Sequence, residues 1–432
     1  MRYYLYLFLG LCLFSCQSPE PQYNILSTDI DNFWLAYEAV QEEEDSLKRI
    51  QLVDSLYISK GTEGLSMIME ARNYTAAEYA DMMIRYPAFF TSIRPNTQEV
   101  KELSQALGEG IQRLENLYSP LRPANIYFTM GCMRTNGTVR DSSILIGSEL
   151  ALMNDKVDIS EFDDQTQEWL NGYIATEPLN NLVLLNVHEY VHTQQQEMSD
   201  DLLYIVLYEG VAEFLSVLAM EQPSSSPAIE YGKANPAVRD KFEEEMFYNR
   251  IYEWLWSNAP NEFNTRDLGY YIGYEIAERY YTNAKDKKVA IHELINLDYS
   301  KTEEVDALIN STSFFSREIA ELRNEDKMKR PKVADISIVN GSEEVDPSNG
   351  ELRVQFSEKM NGYNTGLNYS VLGEEFFPNI ESHVWSADSM SWTVKMQLEA
   401  DKHYQFWITE NFRTNEDIPL MPYLVDFKTQ IQ

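Results

Sequence analysis

The stretch Val187-His188-Glu189-Tyr190-Val191-His192 carries two histidines four residues apart, with a glutamate directly after the first. Residues four apart stand one above the other on a helix, so both imidazoles can reach a single ion. Neutral imidazole is a directional zinc ligand, and a carboxylate beside the first histidine can face a water held at that ion and take its proton. The chain has only five histidines in 432 residues. Composition alone would give this spacing on the order of once in two hundred such chains. Leu182, Leu184, Leu185, Val187 and Val191 surround the motif with apolar residues, as a buried helix requires.

A second constellation follows. Glu209 comes after sixteen intervening residues, in Tyr208-Glu209-Gly210-Val211-Ala212-Glu213-Phe214. Glu209 and Glu213 are four apart and share a helical face. Leu203, Val206, Leu207, Val211, Leu215 and Leu218 leave little polar surface around them. Two carboxylates on so apolar a helix are costly to bury without a counter-charge, which a metal ion supplies. Either glutamate could complete a three-ligand site with His188 and His192.

HExxH followed by a helix carrying Glu-Gly-x-Ala resembles the gluzincin peptidases, the thermolysin-like and aminopeptidase-like clan. The resemblance implies one Zn2+ per chain held by His188, His192 and Glu209. It also implies Glu189 as general base and Glu213 orienting His188 as its hydrogen-bond partner. A closer resemblance is to predicted zinc-protease lipoproteins of Gram-negative bacteria, relatives of a gliding-motility lipoprotein. It covers roughly residues 33–281, including Ile144-Leu145-Ile146-Gly147, HEYVH, YEGVAE and Gly269-Tyr270-Tyr271-Ile272-Gly273-Tyr274. Such peptidases need a donor for the tetrahedral oxyanion, and Tyr270 or Tyr271 is a candidate. The alternative is that both are core tyrosines of a helix running on through Ile276 and Tyr280.

The elements that must position these residues read as follows. Apolar residues at three- and four-residue spacing predict helices from about Asp31 through Leu56, over Ala76–Ile84 and over Val100–Tyr118. Ile126–Met130 and Ser143–Gly147 read as two strands, with turns marked by Gly131, Asn136 and Gly137. Helix resumes near Leu179 and runs to about Leu322. Arg323–Pro331 reads as a charged linker. Beyond it the period becomes two, as in Leu352, Val354 and Phe356 or Trp392, Val394 and Met396. Phe356-Ser357-x-x-Met360 looks like the signature of bacterial Ig-like modules. The expected fold is therefore α+β. A mostly helical, zincin-like peptidase domain with a small sheet (31–325) precedes an all-β Ig-like sandwich (331–432), which could engage an envelope protein partner.

The formal charge is −34, with 69 acidic residues against 35 basic ones. That sign excludes phosphate neutralisation, so no nucleic-acid partner is expected. Arg2 precedes an apolar run from Leu5 to Phe14 that is too short to span a bilayer and has the length of a signal-peptide core. Leu13-Phe14-Ser15-Cys16 resembles the bacterial lipobox. The expectation is a signal peptide over 1–15, a lipid on Cys16, a tether over 16–30, and residence in the bacterial cell envelope, at the outer membrane. Cys12 would leave with the signal, so Cys132 stands alone and no internal disulfide is expected.

Three functions fit these readings. The first is hydrolysis of a peptide or protein substrate. The second is a non-catalytic metal-binding lipoprotein serving as a binding or assembly component of a secretion or motility machine. The third is metal-assisted hydrolysis of a non-peptide bond. The intact Glu189 favours hydrolysis, since a structural metal site needs no general base. Replacing the lipidation residue, Cys16→Ser, is expected to move the protein from the membrane fraction to the soluble fraction, read by fractionation and immunoblotting.

Overall fold

Where the apolar stripe of 33–56 was expected to run as helix, the computed structural model has two helices. Asp45 breaks the stripe by accepting from the Leu47 and Lys48 amides, the local competition that makes aspartate a cap and not an interior residue. The structure describes residues 23–257 and 261–431. The predicted signal peptide and Cys16 lie outside them. The chain forms two compact units, one from Met1–Gln195 and Leu215–Ser225, the other from Gln196–Phe214 and Ser226–Gln432.

The first unit runs β1 (Tyr23–Leu26), α1 (Thr28–Glu42), α2 (Ser46–Leu56), α3 (Glu63–Arg72), α4 (Ala76–Arg85), α5 (Pro87–Gln98), α6 (Val100–Leu117), β2 (Ala124–Thr129), β3 (Gly137–Arg140), β4 (Ser143–Gly147), α7 (Ser148–Ala151), α8 (Asp164–Ile174) and α9 (Leu182–His192). Its sheet has the order β1-β2-β4-β3. β1 and β4 run parallel to β2, and β3 returns antiparallel to β4 as an edge strand. Two of these four strands were not foreseen. Tyr23–Leu26 pairs with β2 in a stretch expected to be tether, so any tether ends before Tyr23. Gly137, expected in a turn, opens β3. Phe33 of α1 packs its ring against Tyr57 and Phe90 at centroid distances of 5.4 Å each, and this aromatic cluster backs the sheet.

α10 (Leu202–Met220) contributes to both units. It is long and apolar enough to cross a membrane, yet 83% of its apolar 18-residue stretch is buried inside the protein. An all-round apolar helix that is buried this way is a core helix.

The second unit continues with α11 (Pro227–Ala234), α12 (Ala237–Glu245), α13 (Ile251–Trp254), α14 (Gly269–Asn283), α15 (Lys287–Ile295), α16 (Thr302–Ser311) and α17 (Ile319–Lys329). Gly210 and Gly273 let α10 and α14 touch backbone to backbone: a Cβ on Gly210 would lie 2.0 Å from the Gly273 carbonyl carbon. The expected linker Arg323–Pro331 is mostly helix α17, and Arg330 is buried.

The strands β5 (Val333–Ile336), β6 (Ser342–Val345), β7 (Glu351–Phe356), β8 (Leu367–Tyr369), β9 (Asn379–Trp385), β10 (Ser391–Gln397), β11 (His403–Ile408) and β12 (Tyr423–Thr429) follow. They form two sheets, β5-β7-β10-β9 and β6-β12-β11-β8. Alternate residues of both sheets, including Val354, Val394, Phe406 and Val425, share one core, which is the arrangement of a sandwich. Phe356 and Met360 of the Phe-Ser-x-x-Met signature are core residues. The result is the α+β architecture expected: a helical N-terminal region with a small sheet, then a strand-rich C-terminal region.

The helices and the sandwich of the second unit are joined by buried charge. Arg250 donates to Glu245 Oε1 at 2.9 Å and to the Asp417 carbonyl at 2.9 Å. Arg330 donates to the Pro419 and Leu420 carbonyls at 3.0 Å each and to Glu410 at 2.7 Å. Removing one partner of such a network leaves the others desolvated and unpaired. Arg330→Ala is therefore expected to lower stability by about 3 kcal/mol, read as a lower urea midpoint at unchanged slope.

Candidate metal centre

Helix α9 is held at both sides before it presents any chemistry. It packs against α6 and under β3 and β4. Its C-terminal carbonyls are among the groups a helix leaves unsatisfied. Arg122 takes up that role: its Nη2 donates to the Thr193 carbonyl at 2.7 Å and the Gln195 carbonyl at 3.0 Å. The Tyr190 hydroxyl and the Gln194 amide return bonds to the Arg122 carbonyl, each at 3.1 Å. The last turn of α9 is thereby fixed.

On that turn the two imidazoles converge. His188 Nε2 and His192 Nε2 are 3.1 Å apart, with the rings nearly perpendicular at 83°. Two nitrogens bound tetrahedrally to one zinc would stand roughly 3.3 Å apart. His192 Nδ1 lies 2.6 Å from Gln195 Oε1. An amide oxygen only accepts, so this bond puts the His192 proton on Nδ1 and leaves Nε2 with its lone pair. One ligand atom each of His188, His192 and Glu209 lies within 4.8 Å of the others, and the trio could hold a metal ion. His188 and Glu209 are buried and His192 is half-buried. Two imidazoles and one carboxylate, largely withdrawn from water, form a donor set that could hold a metal ion.

Glu189 is buried beside the motif. Its carboxylate lies along β3, where a Cβ on Gly137 would stand 3.4 Å from Glu189 Oε1. Glu189 therefore lies over the face of the sheet's last strand, beside the Ile146 side chain of β4. Glu213 is buried one turn beyond Glu209 and is outside the ligand trio. The Tyr274 hydroxyl is held well above its ordinary pKa, first by burial and then by Glu278, with Glu213 adding to the effect. Asp267, whose carboxyl is raised by burial and further by the charge of Glu209, is opposed by Arg266.

The two tyrosines part company. Tyr271 lays its ring on Gly232, where a Cβ would be 2.1 Å from the ring, and packs edge-on against Phe314 at 6.3 Å. Tyr270 is half-buried, and its hydroxyl accepts from the Trp256 indole at 3.2 Å. His383 and His403 bond to Trp392 and Asp426 within the sandwich. Gln195 and the β3 edge were missed in the sequence. Gln195 stands three residues after His192, close enough along the chain to have been considered as its partner.

No family model matches the chain, and no curated protein matches it. Two solved structures align with it loosely. The crystal structure of the S-layer protein rSbsC(31-844) is 11% identical with a TM-score of 0.18, and the alignment covers 94% of this chain and 45% of that one. The structure of surface layer protein SbsC, domains 1-6, is 11% identical with a TM-score of 0.17 and the same coverage. The chain spans less than half the length of either, and likeness at this level carries no argument.

Glu209→Ala is expected to weaken metal binding more than Glu213→Ala. The Glu213 variant should lose about 10- to 100-fold in affinity if it acts only through a ligand. Competition with a chromophoric chelator measures both, and the reverse order would make Glu213 the ligand.

Proposed function

We propose that this protein is a zinc-dependent peptidase of the bacterial envelope, with His188, His192 and Glu209 holding one Zn2+ and Glu189 acting as general base. The observation that supports the reading best is the convergence of three ligand atoms within 4.8 Å beside a buried glutamate that a purely structural site would not need. Zinc held there supplies Lewis acidity toward a carbonyl and lowers the pKa of a water.

The chain's own groups do the rest. Glu189 accepts the proton of the attacking water and returns it to the leaving nitrogen, so one carboxylate serves as base and then as acid. Gln195 keeps His192 in the tautomer that can ligate. Edge strand β3 presents backbone groups next to Glu189, and an extended peptide can add to such an edge by main-chain hydrogen bonds. That recognition reads backbone first and side chains second, so a peptide or protein is the fitting substrate. Tyr270 is the better candidate for oxyanion donor, because Tyr271 is occupied in packing.

The lipobox-like Leu13–Cys16 favours attachment by a lipid on Cys16 at the outer membrane, and the net charge of −34 disfavours adsorption to anionic lipid by charge alone. The sandwich is a suitable module for presenting the catalytic part or engaging an envelope protein.

Glu189→Gln is expected to lower hydrolysis by about 100- to 10,000-fold while zinc stays near one per chain. A quenched peptide library assayed with and without chelator, together with elemental analysis, reads both. Near wild-type hydrolysis in the variant would rule the mechanism out. Zinc without hydrolysis of any peptide by the wild type would turn the assignment toward a binding role.

A further inference from the structure

Between β2 and β3 the chain crosses from Met130 to Asn136, and every part of that crossing is tied down. The Met130 amide donates to the Tyr57 hydroxyl at 3.0 Å, and its carbonyl accepts from Tyr57 at 2.7 Å and Tyr79 at 2.8 Å. At the far end the Gly147 amide donates to the Asn136 carbonyl at 3.3 Å, and Thr135 Oγ1 donates to the Gly137 carbonyl at 2.7 Å. The middle is held by one side chain. Glu149, at the start of α7, accepts from the Gly131 amide through Oε2 at 2.7 Å and from the Met133 amide through Oε1 at 3.0 Å. Met133 has a φ of +63°, a left-handed conformation that a non-glycine residue keeps only under constraint.

Glu149 is fully buried, with 0% of its surface exposed. The groups that face it are the Tyr57, Tyr74 and Tyr79 hydroxyls and the Cys132 thiol, all neutral near pH 7. Arg134 lies over the Tyr74 ring and is paired with Glu78 at the surface. A glutamine at 149 would serve the Gly131 and Met133 bonds less well. Both partners are N–H donors, so both oxygens must accept. Only the carboxylate offers two acceptors, since an amide or a protonated acid turns a donor toward one of them.

We propose that Glu149 is a positioning residue for the candidate site: as a carboxylate it holds the Met130–Asn136 crossing in the shape that lays Gly137 along Glu189, and on protonation it releases that grip. The proposal rests on the reading of Glu189 as the base. Burial pushes Glu149 from its ordinary 4.5 up to about 7, against the pull of the Gly131 and Met133 amides. The sign follows directly. A carboxyl raised in the folded state favours the protonated fold, so its contribution to stability is present at low pH and lost as pH rises from 4.5 through about 7. The burial penalty on ionised Glu149 lowers the stability of the whole fold, whereas the Gly131 and Met133 amide bonds, which pull its pKa down, favour the carboxylate over the acid as long as the side chain stays buried. Near neutrality the site would be switched on as Glu149 loses its proton.

Amide hydrogen exchange on the full chain, corrected for the intrinsic pH dependence and followed from about pH 5.5 to 8.5, tests this at Gly131, Met133 and the β3 amides. Protection is expected to rise about tenfold through neutral pH in the wild type and to stay low in Glu149→Gln. In that variant kcat/KM should fall about 10- to 100-fold and lose the wild type's acid limb near pH 7, with zinc affinity within about threefold of the wild type. Protection that is independent of pH in the wild type overturns the proposal, and this measurement decides even if the variant does not fold. A loss of zinc affinity as large as the loss of activity also overturns it. A wild type that hydrolyses nothing at any pH defeats the peptidase reading instead, and the exchange profile still decides whether Glu149 grips the loop.

Discussion

The dominant constraint on this molecule is the desolvation of ionisable groups on apolar helices. His188 and Glu189 on α9, and Glu209 and Glu213 on α10, are each less than a tenth exposed. Helices otherwise built from leucine, valine and alanine gain by being buried, and they carry these groups in with them. The price of withdrawing carboxylates from water is met only by a compensating charge or a full set of hydrogen bonds. That explains why the surrounding structure is so heavily braced. Arg122 fastens the end of α9, Gln195 fixes the tautomer of His192, and Gly210 and Gly273 bring α14 into backbone contact with α10.

The parts of this arrangement that were legible in the sequence are those set by local periodicity. His188 and His192 follow from four-residue spacing, α10 from its continuous apolar run, and the sandwich strands from alternation around Val354 and Trp392. The misses have a common physical cause. Tyr23–Leu26 is a strand only because β2 offers it a parallel partner about a hundred residues away, and four residues have no period of their own. Gly137 looks like a turn residue, and its role in β3 is decided by its antiparallel pairing with Ile146 of β4. Arg323–Lys329 is charged enough to read as linker, yet an exposed helix tolerates such a face and Arg330 finds its partners some eighty residues further on. Glu149 gave no signal at all, because a single glutamate says nothing about whether two backbone amides will converge on it.

Charge is used in two different ways in the chain. Around the candidate site the buried carboxylates are grouped where a cation would balance them. At the sandwich boundary Arg250 and Arg330 balance Glu245, Asp417 and Glu410 directly, so those acids are structural and not candidates for chemistry. The difference is visible in the partners: guanidinium groups bond the acids of the second group, while two imidazoles gather at the first. The same logic separates four of the five histidines. Those in β9 and β11 bond to a tryptophan and an aspartate within the sandwich, and the pair on α9 turn their Nε2 atoms toward one another.

The pairing of Tyr23–Leu26 with β2 has a consequence for where the protein can work. Seven peptide units separate Cys16 from Tyr23, and a fully stretched chain covers at most about 3.5 Å per residue. With a lipid on Cys16, the leash from the bilayer to the first strand is therefore no longer than about 25 Å. On so short a leash the first unit cannot roam. It would stay close to the headgroups, within reach of what emerges at, or is anchored to, the same membrane.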